Sequence, residues 1–387
     1  MKKIIRLCIF LFCCNSVAYA ANVPSNLFSG MPHYLSGVAN AWNGIFSEFG
    51  VSGHVAAYIQ DVRVDNIAQY LDTISILGFN NTAMALFETG HHIGQSFGLL
   101  DVPMLARRGA CPNNFINCKN QSKNIVVDGR VFGSFADYSA GENGDFNTRN
   151  TGFVINAHGY VADGWTLGVE YTRTMTDTRD NKVYSDAISN SIAVFSKYLS
   201  RHGLFVNIGA NMGATGWDID KSVAGISDDG VYDTDFYAAQ INMGARMLRG
   251  RMAITPSVAV RYMRVYADKY IDDVLQSFSD WWYNALTVSG GVEFSFDFIG
   301  DDFIVRPNIR VGGGYDAISN GTDKMHVRLV DRQSYDIPIE KPHRAMFNGD
   351  IGIMFMTDYF DAALMYELDA RSDYMSHTIM ANVKIAF

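Results

Sequence analysis

The sequence predicts an all-β transmembrane barrel of twelve antiparallel strands, and three observations carry that expectation. The chain ends in Ala381-Asn382-Val383-Lys384-Ile385-Ala386-Phe387, where Ala381, Val383, Ile385 and Phe387 share one apolar face. From Asn124 onward eleven earlier segments alternate in the same way, and short and long linkers alternate between them. Period-two alternation marks strands with one greasy face. If that face meets lipid the sheet must close, because an open edge cannot be satisfied in hydrocarbon.

The first element is an export signal. Lys2, Lys3 and Arg6 form a positive start, Ile4 to Cys14 is mostly apolar, and Ala18-Tyr19-Ala20 fits a small-x-small cleavage site. Residues 1–20 are therefore expected to leave the mature chain, and no later stretch approaches the roughly 20 apolar residues of a spanning helix. Losing Lys2, Lys3 and Arg6 takes the formal charge from -9 to -12. That balance argues against nucleic acid or a generic anionic membrane surface as partner.

Residues 21–122 have a different texture. Ile67, Leu71, Ile74 and Ile76 recur at helical spacing, Thr82 to Phe87 does the same, and Asn80-Asn81 separates the two. This region is expected to be mainly helical and to supply a segment that occupies the lumen. Of five cysteines, Cys8, Cys13 and Cys14 depart with the signal, leaving Cys111 and Cys118 around a six-residue loop. In an exported protein that spacing predicts a disulfide; it suits neither a C-x-x-C redox motif nor a zinc site.

The barrel domain spans residues 123–387, with strands expected at 124–138, 151–162, 165–177, 189–199, 203–217, 234–248, 252–268, 282–298, 303–316, 344–357, 359–371 and 376–387. Asp163-Gly164, Arg201-His202, Gly250 and Asp301-Asp302 read as tight turns. The stretches Thr178–Ile188, Asp218–Asp233, Lys269–Trp281 and Ala317–His343 read as longer polar excursions. Such barrels have short periplasmic turns and long outer loops, so the bare C-terminus belongs on the short-turn side.

Alternation also sorts the charges. Glu293, Asp297, Arg306, Arg310, Asp350 and Lys384 fall on the polar face, which makes them an expected lumen network of mixed sign. A charge on the lipid face at mid-depth costs about 2–4 kcal/mol, so their period matters more than their number. Trp165, Trp281, Trp282 and Tyr283 are expected in an aromatic girdle at the membrane boundary. Gly312-Gly313-Gly314 lacks the lysine and helix of a phosphate loop and reads as close packing within a strand.

Chemistry finds little purchase. His91-His92 are neighbours that diverge on a helix with no carboxylate at a supporting spacing, and the other histidines are scattered without a G-x-S-x-G serine. Acidic pairs such as Asp228-Asp229 and Asp272-Asp273 fall in turns. Neither an enzyme, a metal nor a cofactor is expected.

Three stretches resemble the C-terminal translocator barrel of autotransporters, the type V secretion proteins of Gram-negative bacteria. They are Val131-Phe132-Gly133-Ser134-Phe135, then Thr151-Gly152-Phe153 with Gly164-Trp165-Thr166-Leu167-Gly168-Val169-Glu170-Tyr171, which is similar to the family's G-W-x-L-G hairpin, and the terminal strand. The resemblance implies a cell outer membrane location, a monomer in lipid, and delivery by the general secretion and barrel-assembly machinery. Phe387, with Ile385 and Val383 beside it, would be the assembly signal. It also implies a pore helix, or the segment leading into it, between Thr82 and Arg108, although Pro103 breaks that stretch, and it makes Asn80-Asn81 a candidate cleavage site. Only residues 21 to about 90 stand where family members carry a long passenger. The expected function is translocation or display of that short segment; the alternative is a passive porin or structural protein with a plugged lumen, and a barrel hydrolase is the remotest reading.

Overall fold

The computed structural model describes residues 125–387, apart from 141–143, 163, 180–182, 201, 224–225, 272–276, 329–333, 340 and 358–359. The expected export signal and helical region, Cys111 and Cys118, Asn80-Asn81 and His91-His92 lie outside the described residues. Twelve long strands are present: β1 (Ile125–Ala140), β2 (Gly144–Ala162), β3 (Trp165–Arg179), β4 (Val183–Leu199), β5 (Leu204–Val223), β6 (Ile226–Ala245), β7 (Met252–Ala267), β8 (Trp281–Phe296), β9 (Ile304–Gly321), β10 (Ala345–Met356), β11 (Phe360–Arg371) and β12 (Tyr374–Ala386). Each pairs antiparallel with its sequence neighbours, and β12 pairs with β1 to close the sheet into a barrel. At the seam the Phe387 amide donates to the Ile125 carbonyl at 2.9 Å. Closure removes the edges that lipid could not satisfy.

The stagger of the sheet sets its bore. One cross-strand row starts at Ser295 and passes Asn308, Gly352, Met365, Met380, Phe132, Gly152, Thr174, Ser189, Thr215, Thr234 and Ala267 before reaching β8 again at Trp281, fourteen residues from its start. Twelve strands with that shear tilt about 40° and form a backbone cylinder of about 12 Å radius. Inward side chains reduce this to a clear bore of about 10–12 Å, the width of one α-helix with its side chains.

The outer surface explains why alternation persists through every strand. Ile155, Val169, Ile192, Ile208, Val258, Ile309, Ile351, Leu364 and Ile379 all point outward and are exposed, forming an apolar belt. The inward positions between them carry polar residues interspersed with Phe, Ala, Val and Met side chains. Turns at the opposite end from the long hairpins are tight, with Gly164, Gly203 and Gly250 at positive φ. At Gly164 a side chain would also run into the Leu199 carbonyl, so glycine is required twice over.

The hairpins at the other end are longer than the sequence pattern predicts. Thr178–Ile188 and Asp218–Asp233 are largely strand, and the β5–β6 ladder continues to Val223 opposite Ile226. A 20-residue strand tilted about 40° climbs about 50 Å, against an apolar band about 25 Å tall. Above that band neither face needs to be greasy, so the period-two signal fades while the ladder goes on.

Two of the longer connections also hold strands. Tyr270–Ile271 and Ser277–Phe278 in the β7–β8 connection pair with Lys324–Arg328 and Ser334–Pro338 in the β9–β10 connection, giving a separate four-stranded sheet. In β9 the register shifts opposite Leu286 and Thr287, leaving Ala317 as an extra residue. That bulge swaps the inward parity, so Asp316 and Ser319 both face the interior.

Candidate functional site

The candidate site is the inner wall, and its composition changes around the circumference. On β3 the inward positions Thr172, Thr174, Thr176 and Thr178 form an uncharged ladder, with Ser185, Ser189 and Ser191 beside it on β4 and Asn207, Asn211 and Thr215 on β5. Thr176 donates to the Asn150 side-chain oxygen at 2.6 Å, and the Asn150 amide donates to Ser134 Oγ at 3.1 Å. Thr148 and Thr178 lie 3.4 Å apart and Ser189 and Thr215 pair across strands in the same way, so the outer half of this wall is held by neutral bonds, while toward the short-turn end Glu170 and Lys197 also turn inward.

The same wall is packed by a repeated pair. Phe132 lies opposite Gly152, Phe195 opposite Gly168, Phe236 opposite Gly213, and Phe205 opposite Gly244. In each case a side chain on the glycine would meet the ring of the phenylalanine. The ring lies over the glycine and covers backbone that a glycine alone would leave bare. Gly152 and Gly168 are the glycines of the hairpin motif read in the sequence, and this contact is their structural reason.

From β8 to β11 the wall is ionic. Glu293, Arg310, Asp350 and Glu367 stand directly opposite one another in a single row, with Arg310 Nη1 4.0 Å from Asp350 Oδ2. Gly291 leaves room for Arg310, since a side chain there would come within 3.1 Å of its Nε. Arg306 grips Asp297 through two nitrogens, one contact being Nη2 to Oδ2 at 2.7 Å. Higher up, Arg371 donates to Asp316 at 2.7 Å and Thr287 donates to the other Asp316 oxygen at 2.7 Å. Both ions of the Arg371–Asp316 pair are buried.

Lys384 is inward but elsewhere. It stands opposite Asp128 on one side and Asp361 on the other, while the Asn382 amide donates to Asp128. The six residues expected to form one network thus divide into the β8–β10 group and a separate group around the β11–β12–β1 seam. Arg371 and Asp316 escaped the sequence reading because their meeting depends on register across three strands and on the bulge at Ala317.

The four expected girdle residues also divide. Trp165 is 43% exposed on the outer face at the short-turn end, against the Tyr198 ring at 4.9 Å. Trp282 faces outward at the long-hairpin end, with the Arg264 guanidinium 5.4 Å from its ring. Trp281 and Tyr283 turn inward and are buried, and the Tyr283 hydroxyl bonds Ser319 at 3.0 Å. Consecutive strand residues cannot share a face, so those two do not belong to an outer girdle. Val383, Ile385 and Phe387 point outward, Phe387 with 64% of its surface exposed. Among the described residues no group of three or more His, Cys, Asp and Glu could hold a metal ion.

Comparison with known proteins agrees with this geometry. The family model "Autotransporter beta-domain" matches residues 127–356, more than half of the chain. The translocator domain of autotransporter NalP from Neisseria meningitidis superposes with a TM-score of 0.61 at 10% identity, covering 79% of this chain and 98% of that one. The β domain of the Bordetella autotransporter Brka superposes with a TM-score of 0.54 at 14% identity, covering 68% and 100%. At such identities these two likenesses speak for the fold. No curated sequence matches the chain. On the family match and the closed twelve-stranded architecture together, the chain belongs to the autotransporter β-domain family, non-catalytic transport barrels of the Gram-negative outer membrane.

Proposed function

We propose that the barrel translocates or displays its own short N-terminal segment across the outer membrane. One observation carries this reading: Ile125 lies at the short-turn end, beside Phe387, so the chain ahead of β1 starts at the periplasmic mouth. From there the way to the cell surface runs through a bore about one helix wide. The outer part of the Ser/Thr/Asn wall offers short neutral side chains, and the β8–β11 wall offers charges of both signs to hold a segment in place. A disulfide between Cys111 and Cys118 would travel or rest with that segment.

The closed barrel supports a monomer, since its own strands leave no edge for a second copy. Phe387 and its outward neighbours Ile385 and Val383 would serve the barrel-assembly machinery as its signal, and Trp165 and Trp282 would mark the two membrane boundaries. External protease on intact cells tests the main reading. An epitope placed near Asn26 should be lost from cells carrying a heat-modifiable, inserted barrel, and its persistence there would count against surface exposure. Conductance of the purified protein in planar bilayers addresses the passive-porin alternative; deletion of residues 82–122 should raise it if that segment fills the bore.

A further inference from the structure

The small four-stranded sheet has two unlike faces. Tyr335, Val327, Phe278 and Tyr270 form one row across all four strands, and each is buried. Met325 and Ile337 extend the same face. The opposite face carries Lys324, His326 and Asp336, whose side chains are 67%, 57% and 49% exposed. This is alternation again, now with the greasy side turned down toward the barrel.

The greasy side has an identified seat. The Tyr270 ring stacks on Phe278 at 4.4 Å and on Tyr232 at 5.1 Å, and Tyr232 stacks on Trp217 at 6.0 Å. Trp217 and Tyr232 are direct cross-strand partners on the inner faces of β5 and β6, so the stack joins the small sheet to the inner side of that wall. Backbone bonds fasten the assembly: Ser279 N–H to the His326 carbonyl at 2.9 Å joins the two connections, and Asp268 N–H to the Asp233 carbonyl at 3.2 Å ties one of them to β6. Lys341 pairs with Asp323 at the base of the other connection, and Ile339 N–H donates to the Asp323 carbonyl at 2.9 Å.

We propose that this sheet is a lid that seals the outer mouth of the barrel on the β5–β6–β8 side. Four strands span about 14 Å between the first and last axes, enough to reach across much of a bore of about 10–12 Å while leaving the β11–β12–β1 side uncovered. Its contacts are a compact apolar core, strong enough to hold the closed state and local enough to open without breaking the barrel ladder. Anything leaving by the outer mouth therefore has to displace the lid or pass along the β11–β12–β1 side. The proposal does not depend on what the barrel exports.

A cysteine beneath the lid tests it in the full-length protein. Ala238 faces inward on β6, below Tyr232, and Ala238→Cys changes little volume. On intact cells a bulky, membrane-impermeant maleimide should label this position slowly, with labelling read by mass on the peptide that contains it. Adding Phe278→Asp and Val327→Asp should speed labelling at least about ten-fold, because buried carboxylates force the lid off its seat. His326→Cys, on the upper face, should label fast in both backgrounds. Fast labelling of Ala238→Cys under the native lid overturns the proposal, as does unchanged slow labelling after lid disruption or protection of His326→Cys. Should the aspartates hinder insertion, Tyr270→Ala with Phe278→Ala makes the same test with milder changes.

Discussion

The β2–β5 wall and the β8–β11 wall line the same bore with the same backbone geometry, yet they solve the burial of polar groups in opposite ways. A single cross-strand row shows both: it reads Glu293, Arg310, Asp350 and Glu367, then continues as Thr378, Ser134, Asn150 and Thr176. The outer part of the first wall, beyond the inward Glu170 and Lys197, pairs short neutral side chains across neighbouring strands and fills the remaining space with Phe–Gly contacts. The ionic half uses long side chains that reach across strands and depend on partners several residues away in register. The difference teaches that the barrel needs only inward polarity; whether this is charge or hydroxyl is free for function to set. A bore lined by compensated charges on one side and hydroxyls on the other is poorly suited to selecting ions of one sign, and better suited to holding and releasing a chain.

The comparison predicts where the molecule is fragile. Arg371→Ala removes the cation bonded to the fully buried Asp316 carboxylate and leaves it the Thr287 hydroxyl and the nearby Arg261 charge; the loss of a buried ion's partner costs about 3–5 kcal/mol. Urea-titrated refolding in detergent should show this as the largest fall in midpoint, and Asp316→Asn in the same chain should restore part of it. A fall no larger than that of a threonine variant would erase the distinction between the halves. Gly168→Val strikes the neutral half at its packing, pushing the Phe195 ring aside, with an expected cost of about 1–3 kcal/mol in the same titration. Thr176→Val removes one hydroxyl that donates to Asn150 and should cost about 1 kcal/mol.

The smallest effect lies outside the bilayer. The hydrogen bond and charge of Lys341 hold the Asp323 carboxyl below its ordinary range. Its folded value is depressed, so the contribution is present above the ordinary carboxylate value of about 3.9 and is lost as pH falls through the lower folded value. Maleimide protection under the lid should accordingly stay level from neutral pH down to the ordinary carboxylate range, and Asp323→Asn should remove any weakening seen below it. Because Asp323 is exposed, a large change across neutral pH would point to a different group.

Much of the fold was legible because its signal is local. All twelve strands lie where alternation places them, and tight turns fall at Gly164 and Gly250 and, one residue past the expected Arg201-His202, at Gly203. The outer ends of β2, β4, β5, β6 and β9 were missed because beyond the lipid no face has to be apolar. The lid strands are two to five residues long, too short for a period to register, and read as polar loops. Trp281-Trp282-Tyr283 looked like one aromatic cluster until the pleat sent its members to opposite faces.

By itself the sequence determined that the chain is a membrane barrel, which residues alternate between lipid and lumen, and that the C-terminal strand ends on an outward aromatic. These follow from a two-residue period that each strand carries independently. Only the tertiary structure decided that Lys384 meets Asp128 and Asp361 rather than the β8–β10 cluster, that Arg371 finds Asp316, and that two outer connections fold into one sheet over the mouth. Those outcomes rest on register, shear and a single bulge, which are properties of strands paired across the barrel and leave no periodic mark in any one of them.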